Sequence, residues 1–262
     1  MLGAIAGDVI GSVFEGWSGS MSPGFDPLFQ DGARFTDDTV LSVAVAETLL
    51  HGGDLVDALK RHARSYPNAG YGGTFRRWFL SDERAPYQSW GNGSAMRVSP
   101  AGFAAGTLEE ALGLAKWSAE VTHDHPEGIK GASAAAAAIF LARTGHGKDA
   151  IRAYVARTFG YALDARLDDL RPTFVFDVSC QGTVPPALLA FLESTDYEHA
   201  VRLAVSLGGD TDTLACITGG IAQAFYGGVP GPIRNQALDR LDARLRGVVE
   251  EFEARYPDRQ GN

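Results

Sequence analysis

The sequence predicts an all-α protein, and three observations predict it. Apolar residues recur with the helical period through most of the chain. Two of those segments are rich in alanine, a strong helix former. β-like patterning is confined to one short stretch, Thr173–Val178 (TFVFDV).

The first element, Met1–Phe14, carries Gly3, Gly7 and Gly11 four residues apart. On a helix these form one smooth stripe that lets another backbone approach closely. Asp8 interrupts the apolar run, as a buried acid or as a surface residue. No Lys or Arg precedes it, so the segment does not read as a signal peptide. Asp38–Leu50 reads as an apolar, alanine-rich helix. Asp54–Ser65 is amphipathic, with Leu55, Leu59 and His62 on one face and Asp57, Lys60 and Arg64 elsewhere. Leu108–Val121 and Gly128–Ala142 follow; Ala134–Ala138 in the latter has no bulk and must pack tightly. Ala150–Phe159, Pro185–Glu193, Tyr197–Ser206, Thr211–Tyr226 and a broken Ile233–Ala254 complete the set. Three Gly/Ser/Pro-rich loops remain, Gly16–Arg34, Ser81–Pro100 and Tyr161–Thr183, and ordered loops of that length usually line a site.

The 262 residues suit one domain, 1–262, large enough to bury roughly three quarters of its unfolded surface without staples. Two cysteines, Cys180 and Cys216, make no disulfide framework, which points to a reducing cytoplasm. The net charge of −9 argues against general nucleic-acid binding but leaves room for a phosphate-bearing ligand in a local pocket. No run approaches the ~20 apolar residues that a membrane span needs.

Two segments carry the chemistry. Phe35-Thr36-Asp37-Asp38-Thr39 and Gly208-Gly209-Asp210-Thr211-Asp212-Thr213 each lie where a loop enters an apolar helix. Either alone reads equally well as a helix cap. Together they supply four carboxylates and up to four hydroxyls, the all-oxygen set that hard cations such as magnesium or manganese take. No His or Cys adjoins them, which disfavours zinc. Glu15 ends the first helix and, on its own, reads as a solvated acid. Trp90-Gly91-Asn92-Gly93-Ser94-Ala95-Met96-Arg97 exposes closely spaced N–H groups of the kind that hold phosphate oxygens. Tyr71-Gly72-Gly73-Thr74 is similarly open. His123 and His125, in Thr-His-Asp-His-Pro, read as ligands, bases or helix-end residues.

These residues, with GAIAGDVIGSVFEG, FTDDTVLSVAVAETLL, WGNGSAMRVSP, VTHDHPEGIKGA, GTVPPALLAFLES and SLGGDTDTLACITGGIAQAFYG, make the sequence resemble the ADP-ribosylglycohydrolase family from residue 3 to residue 227. The resemblance implies a compact orthogonal multi-helix bundle with two Mg2+ (or Mn2+) ions in a cleft. It implies metal ligation by Thr36, Asp37, Asp38, Asp210, Asp212 and Thr213. Glu15 and Asp38 become the candidate catalytic carboxylates. Tyr71, Gly72, Gly91, Asn92, Gly93, Ser94, Met96 and His123 become candidates for the ADP-ribose pocket. The implied reaction is hydrolysis of an N- or O-glycosidic bond between ADP-ribose and an acceptor, with an oxocarbenium-like transition state. The partners are then ADP-ribose and an ADP-ribosylated substrate, with a monomer favoured over an oligomer. The loops Gly16–Arg34 and Ser81–Gln88 match no subtype, so the leaving group stays open. A non-hydrolytic ADP-ribose-binding module is the alternative, which an intact acidic set and Glu15 disfavour. An unrelated two-metal phosphoesterase would normally add histidine ligands, which are missing here.

Overall fold

A computed structural model describes residues 1–258. Among them fifteen helices form and no strand does. They are α1 (Leu2–Gly11), α2 (Asp37–His51), α3 (Leu55–Ser65), α4 (Gly73–Leu80), α5 (Gly93–Met96), α6 (Ser99–Ala104), α7 (Leu108–Glu120) and α8 (Pro126–Arg143). Then come α9 (Lys148–Phe159), α10 (Leu167–Leu170), α11 (Cys180–Glu193), α12 (Tyr197–Val205), α13 (Thr211–Tyr226), α14 (Gly231–Leu238) and α15 (Ala243–Arg255). None is long and apolar enough to cross a membrane.

The glycine stripe sets the centre of the fold. A Cβ on Gly3, Gly7 or Gly11 would sit 2.4, 2.0 or 2.4 Å from the carbonyl oxygens of Gly219, Ala215 and Thr211. The partner numbers fall by four as the glycine numbers rise by four, so α1 and α13 run antiparallel with backbones in contact at every turn. Polar groups lock the crossing at both ends. Gly3 N donates to Gln223 Oε1 at 2.6 Å, Tyr197 Oη to Gly3 O at 2.7 Å, and Thr211 Oγ1 to Gly11 O at 2.9 Å. Every residue of α1 is buried, and α13 is buried from Thr211 to Ala224, with α8, α11 and α12 packed around it.

The alanine run of α8 is buried for the expected reason. Small side chains let α6 approach until a Cβ on Gly102 would lie 2.7 Å from Ile139 Cβ. A second apolar cluster joins α2, α3 and α4 through Val40, Leu59, Phe75, Trp78 and Phe79.

Several boundaries differ from the sequence reading. Pro185 and Pro186 lie inside α11, whose first turn begins at Cys180, capped by Ser179 Oγ accepting from Gly182 N at 3.0 Å. The terminal helix is broken, as expected, into α14 and α15. Thr173–Val178 is not a strand: no neighbouring strand edge exists to pair with it, and Val175, Phe176 and Val178 are 70, 50 and 53% exposed. Helix α4 is unexpected, because the Gly72–Gly73 pair reads as loop. Its apolar residues Phe75, Trp78 and Phe79 nevertheless have helical spacing and are all buried. The Ser81–Pro100 loop likewise contains α5 and the start of α6. Lys60, off the apolar face of α3, is nevertheless buried, and its Nζ donates to the carbonyls of Ser81 (2.8 Å) and Glu83 (2.5 Å).

Candidate active site

Three structural elements converge on one cleft of about 420 Å³. The start of α2 brings Asp37 and Asp38, and the start of α13 brings Asp210, Asp212 and Thr213. The turn after α1 brings Glu15. Helix α1 ends at Gly11 rather than at Glu15, and residues 12–16 form turns. The excursion is held by Gly16 N donating to Gly209 O at 2.8 Å and Gly209 N donating to Trp17 O at 3.1 Å. That pairing carries Glu15 to the second acidic cluster, where oxygens of Glu15, Asp210 and Asp212 all lie within 4.8 Å of one another. The two clusters meet through Thr213 Oγ1, 3.4 Å from Asp38 Oδ2.

Capping accounts for only part of this arrangement. Thr36 is the N-cap of α2, its Oγ1 accepting from Asp38 N at 3.2 Å. Asp210 occupies the N-cap position of α13 but makes no side-chain cap bond. It accepts instead from Asn92 Nδ2 at 2.6 Å, and that amide also reaches Thr183 Oγ1 at 3.0 Å. Asp38 Oδ1 is buried with no hydrogen-bond partner. Burial, compounded by neighbouring like charges, pushes the carboxyls of Asp37, Asp38 and Asp212 well above the usual range. Glu15 is raised too, first by burial, then by Asp210. An unpartnered carboxylate oxygen among crowded acids is costly unless a cation meets it. Hard, multivalent cations fit this set, in which the groups gathered at Glu15, Asp210 and Asp212 are all carboxylates.

The rest of the cleft wall includes Gly70, Gly72, Gly73, Gly91, Asn92, Gly93, Met96 and His123. Gly91 N and Asn92 N are already engaged, by Ser89 Oγ (3.1 Å) and Val178 O (2.7 Å). Gly93 and Ser94 open α5, where N–H groups have no intrahelical partner. His123 Nδ1 meets Thr122 Oγ1 at 2.7 Å, and burial, then the charge of Arg97, holds its ring well below the usual pKa, so it is neutral at pH 7. Arg97 is the one Lys or Arg side chain among the lining residues. It is fully buried, and its Nη2 donates to Ser118 O at 2.6 Å and Thr122 Oγ1 at 2.8 Å. Burial lowers its pKa to about 10, which leaves it charged at neutral pH behind the glycine-rich wall.

Three of the expected residues do not line the cleft. Thr36 is turned into the protein, donating to Asp8 Oδ1 at 2.7 Å. Tyr71 packs its ring on Phe75 and Phe79, and Ser94 donates to Gly128 O at 2.7 Å. His125 is an N-cap: its Nδ1 accepts from Glu127 N at 3.1 Å at the start of α8. Phe176 and Val178 also line the cleft; they lie in the Tyr161–Thr183 loop, whose length marks it as site-lining although the sequence singles out neither residue.

A family model described as ADP-ribosylglycohydrolase matches residues 1–261. The chain belongs to the ADP-ribosylglycohydrolase family. It is 28% identical to the ADP-ribosylhydrolase ARH3 of Gallus gallus over 311 residues, covering 87% of this chain and 84% of that protein. It is also 28% identical to the ADP-ribosyl-[dinitrogen reductase] glycohydrolase of Rhodospirillum rubrum over 240 residues, covering 82% and 76%. A solved structure titled "ADP-ribosylglycohydrolase-related protein complex" superposes with a TM-score of 0.70 at 28% identity, covering 97% of this chain and 94% of that one. The all-helical bundle of this ADP-ribosylglycohydrolase is therefore the fold of its relatives.

Proposed function

We propose that this protein hydrolyses the glycosidic bond between ADP-ribose and an acceptor group, releasing ADP-ribose, with two Mg2+ or Mn2+ ions at the acidic end of its cleft. One observation carries the reading: two carboxylate clusters far apart in sequence, Asp37–Asp38 and Asp210–Asp212, close on each other in a cleft whose wall also carries Gly70, Gly72, Gly73, Gly91 and Gly93. Names of the relatives support the same chemistry. The cleft volume, about 420 Å³, lies within the ordinary range for small-ligand sites.

Asp37, Asp38, Asp210, Asp212 and Thr213 would hold the ions, with the Thr36 hydroxyl behind them. When bound, the ions would supply Lewis-acid chemistry, polarising substrate oxygens and lowering the pKa of nearby water. The protein's own groups do the rest. The amide of Gly93, which lines the cleft at the start of a helical turn, takes a phosphate oxygen. Arg97 adds a fixed positive charge behind that wall, which suits a pyrophosphate in a chain of net charge −9. Glu15 keeps one face in solvent, and its raised pKa brings its basicity closer to neutrality. Its carboxylate accepts the proton of the water that attacks the anomeric carbon as oxocarbenium character develops. Asp38 is the second candidate catalytic carboxylate, through its unpartnered Oδ1. The buried, unpaired thiols of Cys180 and Cys216 fit a reducing cytoplasm.

The test is release of free ADP-ribose, read by mass spectrometry, from ADP-ribosylated arginine, serine and nucleobase substrates. The protein is first stripped with chelator and then assayed with and without added magnesium or manganese. Release from at least one linkage, only with cation, is expected. Undiminished release by stripped protein would remove the ions from the reading, and no release from any substrate would remove the activity.

A further inference from the structure

Asp8 is an acid that the catalytic reading leaves unused. It is fully buried in α1 and does not line the cleft. Its Oδ1 accepts from Thr36 Oγ1 at 2.7 Å. Its Oδ2 accepts from Thr36 N at 3.0 Å, Thr39 N at 3.1 Å and Thr39 Oγ1. Four donors are thus gathered on this one carboxylate, three of them on Oδ2. All four donors come from the two residues that bracket Asp37 and Asp38.

We infer that Asp8 is a positioning residue: by gripping Thr36 and Thr39 from α1, it fixes the first turn of α2 and so aims the Asp37–Asp38 pair at the acidic end of the cleft. The inference rests on the reading that this end holds divalent cations.

The location of Asp8 strengthens the argument. Its neighbours on the same helix, Gly7 and Gly11, press on the start of α13. A Cβ on Gly11 would lie 2.4 Å from Thr211 O and 2.7 Å from Asp212 N. Helix α1 is thus the common support of both acidic clusters. Through glycines it meets the backbone that carries Asp210 and Asp212, and through Asp8 it meets the backbone that carries Asp37 and Asp38. Two of the N–H groups at the start of α2, which have no partner within the helix, are satisfied from α1 instead. Asparagine cannot replace this carboxylate, because it offers one acceptor oxygen and would turn an NH2 group towards donors.

A plain structural role would lower stability without acting specifically through the acidic pair. A double-mutant cycle separates the two. Mn2+ is titrated calorimetrically into chelator-stripped wild type, Asp8→Asn, Asp38→Asn and the double variant. Asp8→Asn is expected to weaken Mn2+ binding about 10- to 100-fold, the usual effect of removing a group that orients ligands. In the Asp38→Asn background the same change should cost less than about threefold, because the group it aims is gone. Thr39→Val removes a single donor, lies outside the cleft lining and serves if Asp8→Asn does not fold. It should weaken Mn2+ binding in the same direction and show the same loss of effect beside Asp38→Asn. Additive losses, or unchanged affinity in both Asp8→Asn and Thr39→Val, overturn the inference while the wild type still binds. No Mn2+ binding by the wild type overturns the metal-site reading and this inference with it.

Discussion

Adding one methyl group to Gly7 and one to Gly113 should move stability in opposite directions. Both glycines sit inside helices, so helix propensity alone favours alanine at each by up to ~1 kcal/mol. At Gly113, an exposed site on α7, nothing lies within 4 Å of the new carbon, and the gain is kept. At Gly7 the new carbon would lie 2.0 Å from Ala215 O and 2.5 Å from Ala215 C. Bringing even the first contact to 3.0 Å requires α1 and α13 to part by about 1 Å, and the obstacle is backbone that cannot swing aside. Overpacking typically costs ~1–3 kcal/mol, and a rigid obstacle puts Gly7→Ala at the upper end or beyond. The net loss is then about 2 kcal/mol or more. For a chain of this size each kcal/mol moves Tm by roughly 2–4 °C. Thermal melts followed by circular dichroism should show Gly7→Ala lower by about 4–8 °C and Gly113→Ala raised by about 1–4 °C. A Gly7→Ala protein as stable as Gly113→Ala would refute the direct backbone crossing.

Three further expectations follow from the cleft and its surroundings. Glu15→Gln keeps size but cannot accept a proton, so kcat should fall about 10²–10⁴-fold with ADP-ribose affinity within about tenfold, or ~1.4 kcal/mol; single-turnover rates near wild type would take Glu15 out of the mechanism. Gly93→Val puts a branched carbon 3.1 Å from His123 Nε2 and adds bulk at the Gly93 wall of the cleft, so calorimetry should show markedly weaker ADP-ribose binding; unchanged affinity would place the phosphates elsewhere. His62 is buried with Nε2 on Glu47 Oε2 at 2.6 Å, and burial holds its pKa below the usual 6.5. The unfolded chain then takes up a proton first, so stability is lost as pH falls through 6.5 towards the lowered value. His62→Gln should lack this arm, and a Tm difference from wild type that stays constant between neutral and mildly acid pH would refute it.

The legible parts of this protein were those in which one segment carries its whole signal. Gly3, Gly7 and Gly11 announce a close helix crossing because their spacing alone makes the stripe. Neither TDDT nor GGDTDT names its partner, and each alone reads equally well as a cap. Thr36 is indeed a cap, while Asp210 is not. Whether the two meet depends on α13 being the helix that the α1 stripe receives, and that choice of partner no local pattern encodes. Asp8 illustrates the same limit: one acid in an apolar helix reads as buried or exposed until Thr36 and Thr39 arrive from another element. Thr173–Val178 failed in the opposite way. Its residues favour strands, but strand formation needs an edge to pair with, and an all-helical bundle offers none. Helix α4 was hidden by Gly72–Gly73, although Phe75, Trp78 and Phe79 carried its period.

The two halves of the acidic end come from nearly opposite ends of the chain, before residue 40 and after residue 208. Anything that grips both can be held only while α1 and α13 stay together. Such a ligand cannot steady one half of the molecule and leave the other loose; its whole binding energy goes to the cooperative opening of the core. At a free concentration 100 times its Kd, that adds ~2.7 kcal/mol to the cost of global unfolding. Amide protons deep in α1, α8 and α13 should then exchange about a hundredfold more slowly, while those that fray locally at the end of α15 keep their rate. Synthesis reverses the picture. The first carboxylates leave the ribosome some 170 residues ahead of the second set, and until α13 follows they have no counterpart to close on. A chain stopped short of α13 would lack the second set of carboxylates and so have no grip on the ligand.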